Sequence, residues 1–369
     1  MGSGLVRLFL AGDVMTGRGV DQILPHPGAA ELREPSVTDA RTYVGLAEAV
    51  NGPIPRPVGF DWPWGDVPRL LDGFAPDVRL VNLETSVTSG GAHAEDKAVH
   101  YRMHPENLAC LAAIRPDACA LANNHVLDFG VPGLVETLDR LDAAGLRPVG
   151  AGPDAEAAWR PVCRDVAGRR VLIWSVATPS SGVPPTWAAT ADRPGVAFLP
   201  EVSDTGAAEV IDRIDRVAQA GDLVVVSIHW GSNWGYEVPD EHVQFAHRLV
   251  DAGVDVVHGH SSHHPRPVEV YRNRLVLYGC GDLIDDYEGI SGYEDYRSDL
   301  RLLYLPMLDA DSGELRTLRM APLRVRRMRL QRASPADARW LCDTLNQISE
   351  PHRAPVRLTP DGTLTIDPG

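Results

Sequence analysis

Short apolar runs that stop at a polar or ionisable residue recur along this chain. Residues 5–11 are apolar apart from Arg7 and lead into Gly12-Asp13, which predicts a buried strand with a carboxylate at its C-terminal end. The runs beginning at Val78, Ala118, Leu223 and Val254 repeat the design, ending in Glu84, in Asn124-His125, in His229 and in His260. Between them lie stretches with apolar residues at helical spacing: 132–144 before Gly145, 207–220 before Gly221 and 240–252 before Gly253. Each closes on a glycine, a common helix stop. Strand and helix in alternation predict an α/β fold with mainly parallel strands. Ligands of such sheets gather at the carboxyl ends of the strands, where these polar residues fall.

The remaining segments read differently. Residues 25–65, rich in Pro, Gly and Trp, predict a long structured loop or insertion. Residues 301–308 and 314–330 predict a late β-hairpin, 335–349 a C-terminal helix and 356–366 a terminal hairpin. With 369 residues, 44% of them hydrophobic and 23% charged, the chain is long enough for a large core. A net charge of −15 argues against nucleic acid and anionic membrane as partners, since both are bound by concentrated Lys and Arg. A small or peptidic partner is easier to accommodate. Cys110, Cys119, Cys163, Cys280 and Cys342 form no C-x-x-C pair, and reduced thiols in a cytoplasm are the expectation. No run is apolar and long enough for a membrane segment.

Carboxylates, an amide and imidazoles at neighbouring strand ends are the donor mixture that holds a divalent ion while leaving a position for water or substrate. Any one of these residues alone is more often a turn or core residue. Their joint order carries the signal: Gly12-Asp13, Asn82-Leu83-Glu84, Asn123-Asn124-His125, His229-Trp230-Gly231 and Gly259-His260-Ser261-Ser262-His263.

In that order the chain resembles, from about Leu8 to Asp286, the CapA-type family named for poly-γ-glutamate capsule synthesis, a branch of the calcineurin-like metallophosphoesterase superfamily. The resemblance implies an α-β-β-α sandwich of two mixed sheets flanked by helices. It implies a metallophosphoesterase-like catalytic domain over 1–330, with 331–369 as a C-terminal extension. It also implies a metal set of Asp13, Glu84, Asn124, His229, His260 and His263, with Asp13 and His263 on one ion, Glu84 bridging, and Asn124, His229 and His260 on the other. His125 is then the proton-handling residue beside the metals, and Asp128 its orienting acceptor. The superfamily's Asp-x-His is here Asp13-Val14-Met15, one imidazole short. One or two ions are therefore expected, of a hard kind such as Mg²⁺, Mn²⁺ or Ca²⁺. Arg102, Lys97, Trp230, Trp234 and Tyr236 are the residues expected to contact a peptide or polyglutamate-like substrate, with His104 in the same stretch as Lys97 and Arg102, and Trp62 and Trp64 in the early insertion.

Three readings follow from the resemblance. A site with one ligand missing suits epimerisation of a peptide Cα centre, as in family members acting on lasso-peptide precursors, because stabilising an enolate asks less of the ions than acidifying water. His125 with one of Asp13, His263 or Cys280 would form the proton-transfer pair. Metal-dependent hydrolysis of a phosphoester or a poly-γ-glutamate-type amide is the alternative. A non-catalytic part in capsule-polymer synthesis stands third, because no anchoring segment is read in the chain.

Overall fold

The computed structural model describes residues 4–95, 97–166, 168–350 and 354–368. The strand Leu5–Val14 shows how the layers arise: successive side chains alternate across a strand, so Leu8 and Leu10 enter one core while Phe9 and Ala11 enter another. That strand lies within a ten-stranded mixed sheet, parallel to Val78–Leu83 on one side and antiparallel to Leu300–Asp309 on the other. A six-stranded sheet is built on Arg169–Ala177, Leu223–His229 and Val256–His260, all parallel.

The two sheets face each other. Leu8, Leu10 and Leu80 of the first meet Ile173, Val225 and Val256 of the second in a shared core. On the outer side of the large sheet, Phe9, Val81 and Leu303 pack with Val44, Leu71 and Leu134, which come from helices. On the outer side of the smaller one, Trp174 and Val226 pack with Val210 and Leu249 of the helices Asp204–Asp215 and Asp240–Asp251. Helix, sheet, sheet and helix thus form the α-β-β-α sandwich.

Side-chain caps set some of the helix starts. Ser203 accepts from the Gly206 N–H at 3.2 Å and starts the helix three residues before the position expected from periodicity, a side-chain cap at work. Ser334 does the same for Pro335–Ser349, accepting from Asp337 N at 3.2 Å. The 25–65 segment contains a helix, Arg41–Asn51, that its turn-rich composition concealed. The hairpin is formed by Leu300–Asp309 and Leu315–Val325. After the C-terminal helix, Leu364–Ile366 pairs with Leu315–Val325, so residues beyond 331 extend the large sheet and add Leu341 and Leu345 to the inter-sheet core. Among the described residues no helix is long and apolar enough to cross a membrane.

Candidate metal centre

Strand register brings the ligands together. At the end of Leu5–Val14, Asp13 stands beside Asn82 of one parallel neighbour and Asp282 of the other, and in the second sheet His229 stands beside His260. Two groups of potential ligand atoms result, Asp13 with His229 and His260, and Asp13 with His263 and Asp282, each within 4.8 Å. Asp13 belongs to both. Glu84 Oε1 lies 3.8 Å from His229 Nε2, and Asn124 Oδ1 lies 3.2 Å from the same nitrogen. The six residues expected as ligands therefore converge, and Asp282 joins them.

The backbone is shaped for this convergence. Gly281 turns at φ 73° before Asp282, and the Asp13 N–H donates to the Gly281 carbonyl at 3.1 Å. The longer spacing in Gly-His-Ser-Ser-His is absorbed at Ser261, a non-glycine residue at φ 106°. Residues held in that region concentrate at functional sites.

Electrostatics favour a cation. Burial first, and then the charge of Asp282, push the Asp13 carboxyl up to about 7. Burial and Asp13 together push Glu84 well above the carboxylate range. A single amide nitrogen, Asn82 Nδ2, serves both acids, at 2.8 Å from Asp13 Oδ1 and 2.8 Å from Glu84 Oε2. Asp13 Oδ2 and Asp282 Oδ2 are buried without a hydrogen-bond partner. Orphaned buried carboxylate oxygens are costly unless an ion takes them. On the other side, burial holds His229 and His260 well below the usual imidazole range, which keeps them neutral as ligands must be. These donors fit a divalent cation.

His125 stands at the edge of this cluster with Nε2 3.9 Å from Glu84 Oε1. Its Nδ1 meets Asp128 Oδ2 at 2.6 Å, and Lys97 Nζ meets Asp128 Oδ1 at 2.5 Å. Burial lowers the imidazole to about 4, with Lys97 and Arg18 adding to the effect against Asp128. Asp128 thus takes the orienting position expected of it. Lys97 serves the same assembly: it bonds the Asn124 carbonyl and points its ammonium at Asp128.

Other expectations are corrected. Trp230 is buried, stacked on His242 at 4.5 Å, with its indole N–H given to the Tyr278 carbonyl at 3.0 Å, so it belongs to the core and has no surface for a substrate. Cys280 packs into the inter-sheet core, where burial and Asp13 raise its thiol, and a buried neutral thiol is a poor base. The Arg102 guanidinium lies over the Phe129 ring at 4.6 Å, among Asp21 and Glu31 rather than the ligands. Trp64 gives its N–H to Cys110 O, Trp62 to Arg327 O, and His104 caps the turn at Glu106. Trp234 tilts against His263 at 5.3 Å, whereas Tyr236 meets His264, which is not among the ligands, edge-on at 4.7 Å.

Several residues with a part in the site carried too little signal in sequence. Asp282 follows Gly-Cys-Gly in a segment with no helical or strand period. Asn82 and Asn123 stood inside recognised motifs without a role. Asn123 Nδ2 donates to Asn82 Oδ1 at 3.0 Å, and its own Oδ1 accepts from His125 N at 3.1 Å, so two amides tie three strand ends together.

The profile of the family described as "Bacterial capsule synthesis protein PGA_cap" matches residues 7–287. A Mycobacterium tuberculosis protein named "Probable polyglutamine synthesis accessory protein" is 54% identical over 370 residues, covering 99% of this chain and 96% of its own. The Bacillus subtilis "PGA biosynthesis protein CapA" is 30% identical over 213 residues, 58% of this chain and 54% of its own. The crystal structure of a Thermus thermophilus protein, TT1561, covers 85% of this chain and 97% of its own, at 8% identity and a TM-score of 0.39.

Proposed function

The chain belongs to the bacterial capsule synthesis family PGA_cap, and from that premise we propose that it is a metal-dependent hydrolase of an amide bond in a glutamyl- or glutaminyl-type polymer. The observation that carries this reading is Asp13, shared by two ligand groups of which the second contains Asp282. The missing imidazole had favoured a reaction with modest demands on the ions. A carboxylate in its neighbourhood restores a second ligand group and removes that premise. The relatives' names, which speak of polyglutamine and PGA synthesis, support the substrate class.

Asp13, Glu84, Asn124, His229, His260, His263 and Asp282 would hold one or two ions. A bound divalent cation of the Mg²⁺ or Mn²⁺ kind supplies Lewis acidity and makes water nucleophilic near neutral pH. The chain's own residues do the rest. Asp128 holds His125 Nδ1 at 2.6 Å, which leaves Nε2 facing the cluster. That nitrogen accepts the proton released as water adds to the acyl carbon and returns it to the nitrogen that leaves, so one C–N bond is replaced by a carboxylate and an amine. Lys97 keeps Asp128 charged throughout.

A second reading has one observation in its favour. His125 and His263 each have Nδ1 on an aspartate, Asp128 at 2.6 Å and Asp282 at 2.9 Å. Two oriented imidazoles are what a Cα epimerisation needs for proton removal and return.

One experiment separates them. The manganese-loaded protein is incubated in D₂O with oligomers of glutamate and of glutamine, α- and γ-linked, and new primary amines and Cα deuterium are both measured. Hydrolysis gives amines, and His125→Gln should lower their formation by roughly 100-fold or more with bound manganese retained. Deuterium at Cα with unchanged chain length establishes epimerisation instead.

A further inference from the structure

Beside His263 lies a cavity of about 180 Å³ lined by Trp234, Tyr287, Ile290 and Tyr293, with Asn233 and Ser298 as its polar edge. Its aromatic walls are organised. Trp234 and Tyr293 stack with ring centroids 3.9 Å apart and planes 8° from parallel, and Tyr287 meets His263 edge-on at 5.1 Å. Tyr287 is held in turn by Tyr101, whose hydroxyl donates to that of Tyr287 at 3.1 Å.

No Lys or Arg lines this cavity among the described residues. Arg297, adjacent in sequence to Ser298, is committed to Asp299 at 2.8 Å and Asp337 at 2.7 Å. Two buried cations that touch lining residues are taken as well: Arg18, 5.8 Å from the Tyr287 ring, pairs with Asp286 and Glu34, and Arg301, which bonds the Ser298 carbonyl, pairs with Asp285. Both ring nitrogens of His263 are engaged, Nδ1 with Asp282 at 2.9 Å and Nε2 with Asn233 Nδ2 at 3.0 Å. A carboxylate entering here would lose its hydration with no Lys or Arg of the lining to pair with, in a chain of net charge −15. A planar carboxamide or an aromatic ring stacks on such walls at little desolvation cost, and a carboxamide finds Asn233 and Ser298 for its polar atoms.

We propose that this cavity is the side-chain pocket of the substrate and that it selects an uncharged planar side chain, a carboxamide or an aromatic ring, over a carboxylate. The proposal rests on the metal centre being where the substrate reacts, and it narrows the glutamyl- or glutaminyl-type polymer to its amidated, neutral form.

Binding is measured by calorimetry on the manganese-loaded full chain at pH 8, with N-acetylated tripeptide amides that differ only at the central residue, Gln, Phe or Glu. The Gln and Phe peptides are expected to bind at least about tenfold more tightly than the Glu peptide. Ile290→Arg, which introduces a cation, should invert the order, and Ser298→Lys provides the same change on a different segment. Equal affinity for Gln and Glu peptides, binding of none of the three, or a preference untouched by both substitutions overturns the proposal. Amine release from the same peptides is followed separately. Selective binding without amine release keeps the pocket and counts against hydrolysis, whereas hydrolysis without selectivity does the reverse.

Discussion

Asp13 lies between two other buried carboxylates, and the chemistry of the site turns on that crowding. Asp282 meets Asp13 in one ligand group while bonding His263 Nδ1 at 2.9 Å. Asp282→Asn keeps the shape and removes the charge. It should weaken one bound ion by at least about tenfold, read as manganese content after dialysis. Asp128→Asn alters the support of His125 without replacing a ligand and should leave manganese in place while turnover falls. Equal metal content in Asp282→Asn and the parent chain would remove Asp282 from the ligand set. The asymmetry in what sequence disclosed is instructive at this scale. Asp13, Glu84, Asn124, His125, His229 and His260 each close a regular apolar run, so periodicity points at them. Asp282 lies in a short strand, Asp282–Ile284, that pairs in parallel with Leu5–Val14 across almost the whole chain. Three residues are too few to show a period. Trp230 misled for a related reason, since aromatic residues next to a ligand read alike whether they face solvent or the core, and burial by the helix at 240–251 decides the matter.

Elements place these residues by backbone contact as much as by side chain. Between the strands that carry Asp13 and Asp282 there is no room for a methyl group: a Cβ on Gly12 would lie 1.7 Å from the Gly281 carbonyl oxygen. Gly12→Ala must therefore push the two strand ends apart. The expected cost is about 1–3 kcal/mol of stability, read in urea denaturation, together with a loss of manganese affinity. Gly45→Ala, within the helix Arg41–Asn51 and with nothing within 4 Å of its Cβ, is the matched control. It should be neutral or slightly stabilising, as alanine suits a helix better than glycine. If Gly12→Ala binds manganese like the control, the close approach of the strands does not set the ligand geometry. The strands that form the centre were legible because apolar runs with polar ends are a local pattern. Their order in the sheet was not, because Leu300–Asp309 and Asp282–Ile284 pair with the first strand from the far end of the sequence.

Across the whole molecule, the centre joins the two sheets, with Asp13, Asn82 and Asp282 supplied by one and His229 and His260 by the other. Its ionisation is therefore linked to folding. The Asp13 carboxyl titrates near 7 when folded, against a usual 3.8, so between those values the folded metal-free chain holds a proton that the unfolded chain has released. The contribution of Asp13 to the stability of the metal-free chain should thus fall as pH rises through that window, while the buried imidazoles of His125, His229 and His260, held below their usual range, contribute with the opposite sign. A divalent cation reverses the sign. It binds the deprotonated carboxylate and neutral imidazoles, so its affinity, and the stability it confers, should grow over the same pH range as protons cease to compete. Melting temperatures of EDTA-treated and manganese-saturated protein, measured from pH 5 to pH 8, should diverge, the manganese-saturated protein rising relative to the EDTA-treated protein as pH rises. Parallel curves would mean that no proton leaves the carboxylate cluster when manganese binds. Divergence that persists in His125→Gln would place the linkage in the ligands rather than in the proton-handling histidine, because His125 reaches Glu84 only at 3.9 Å and is already neutral across this range.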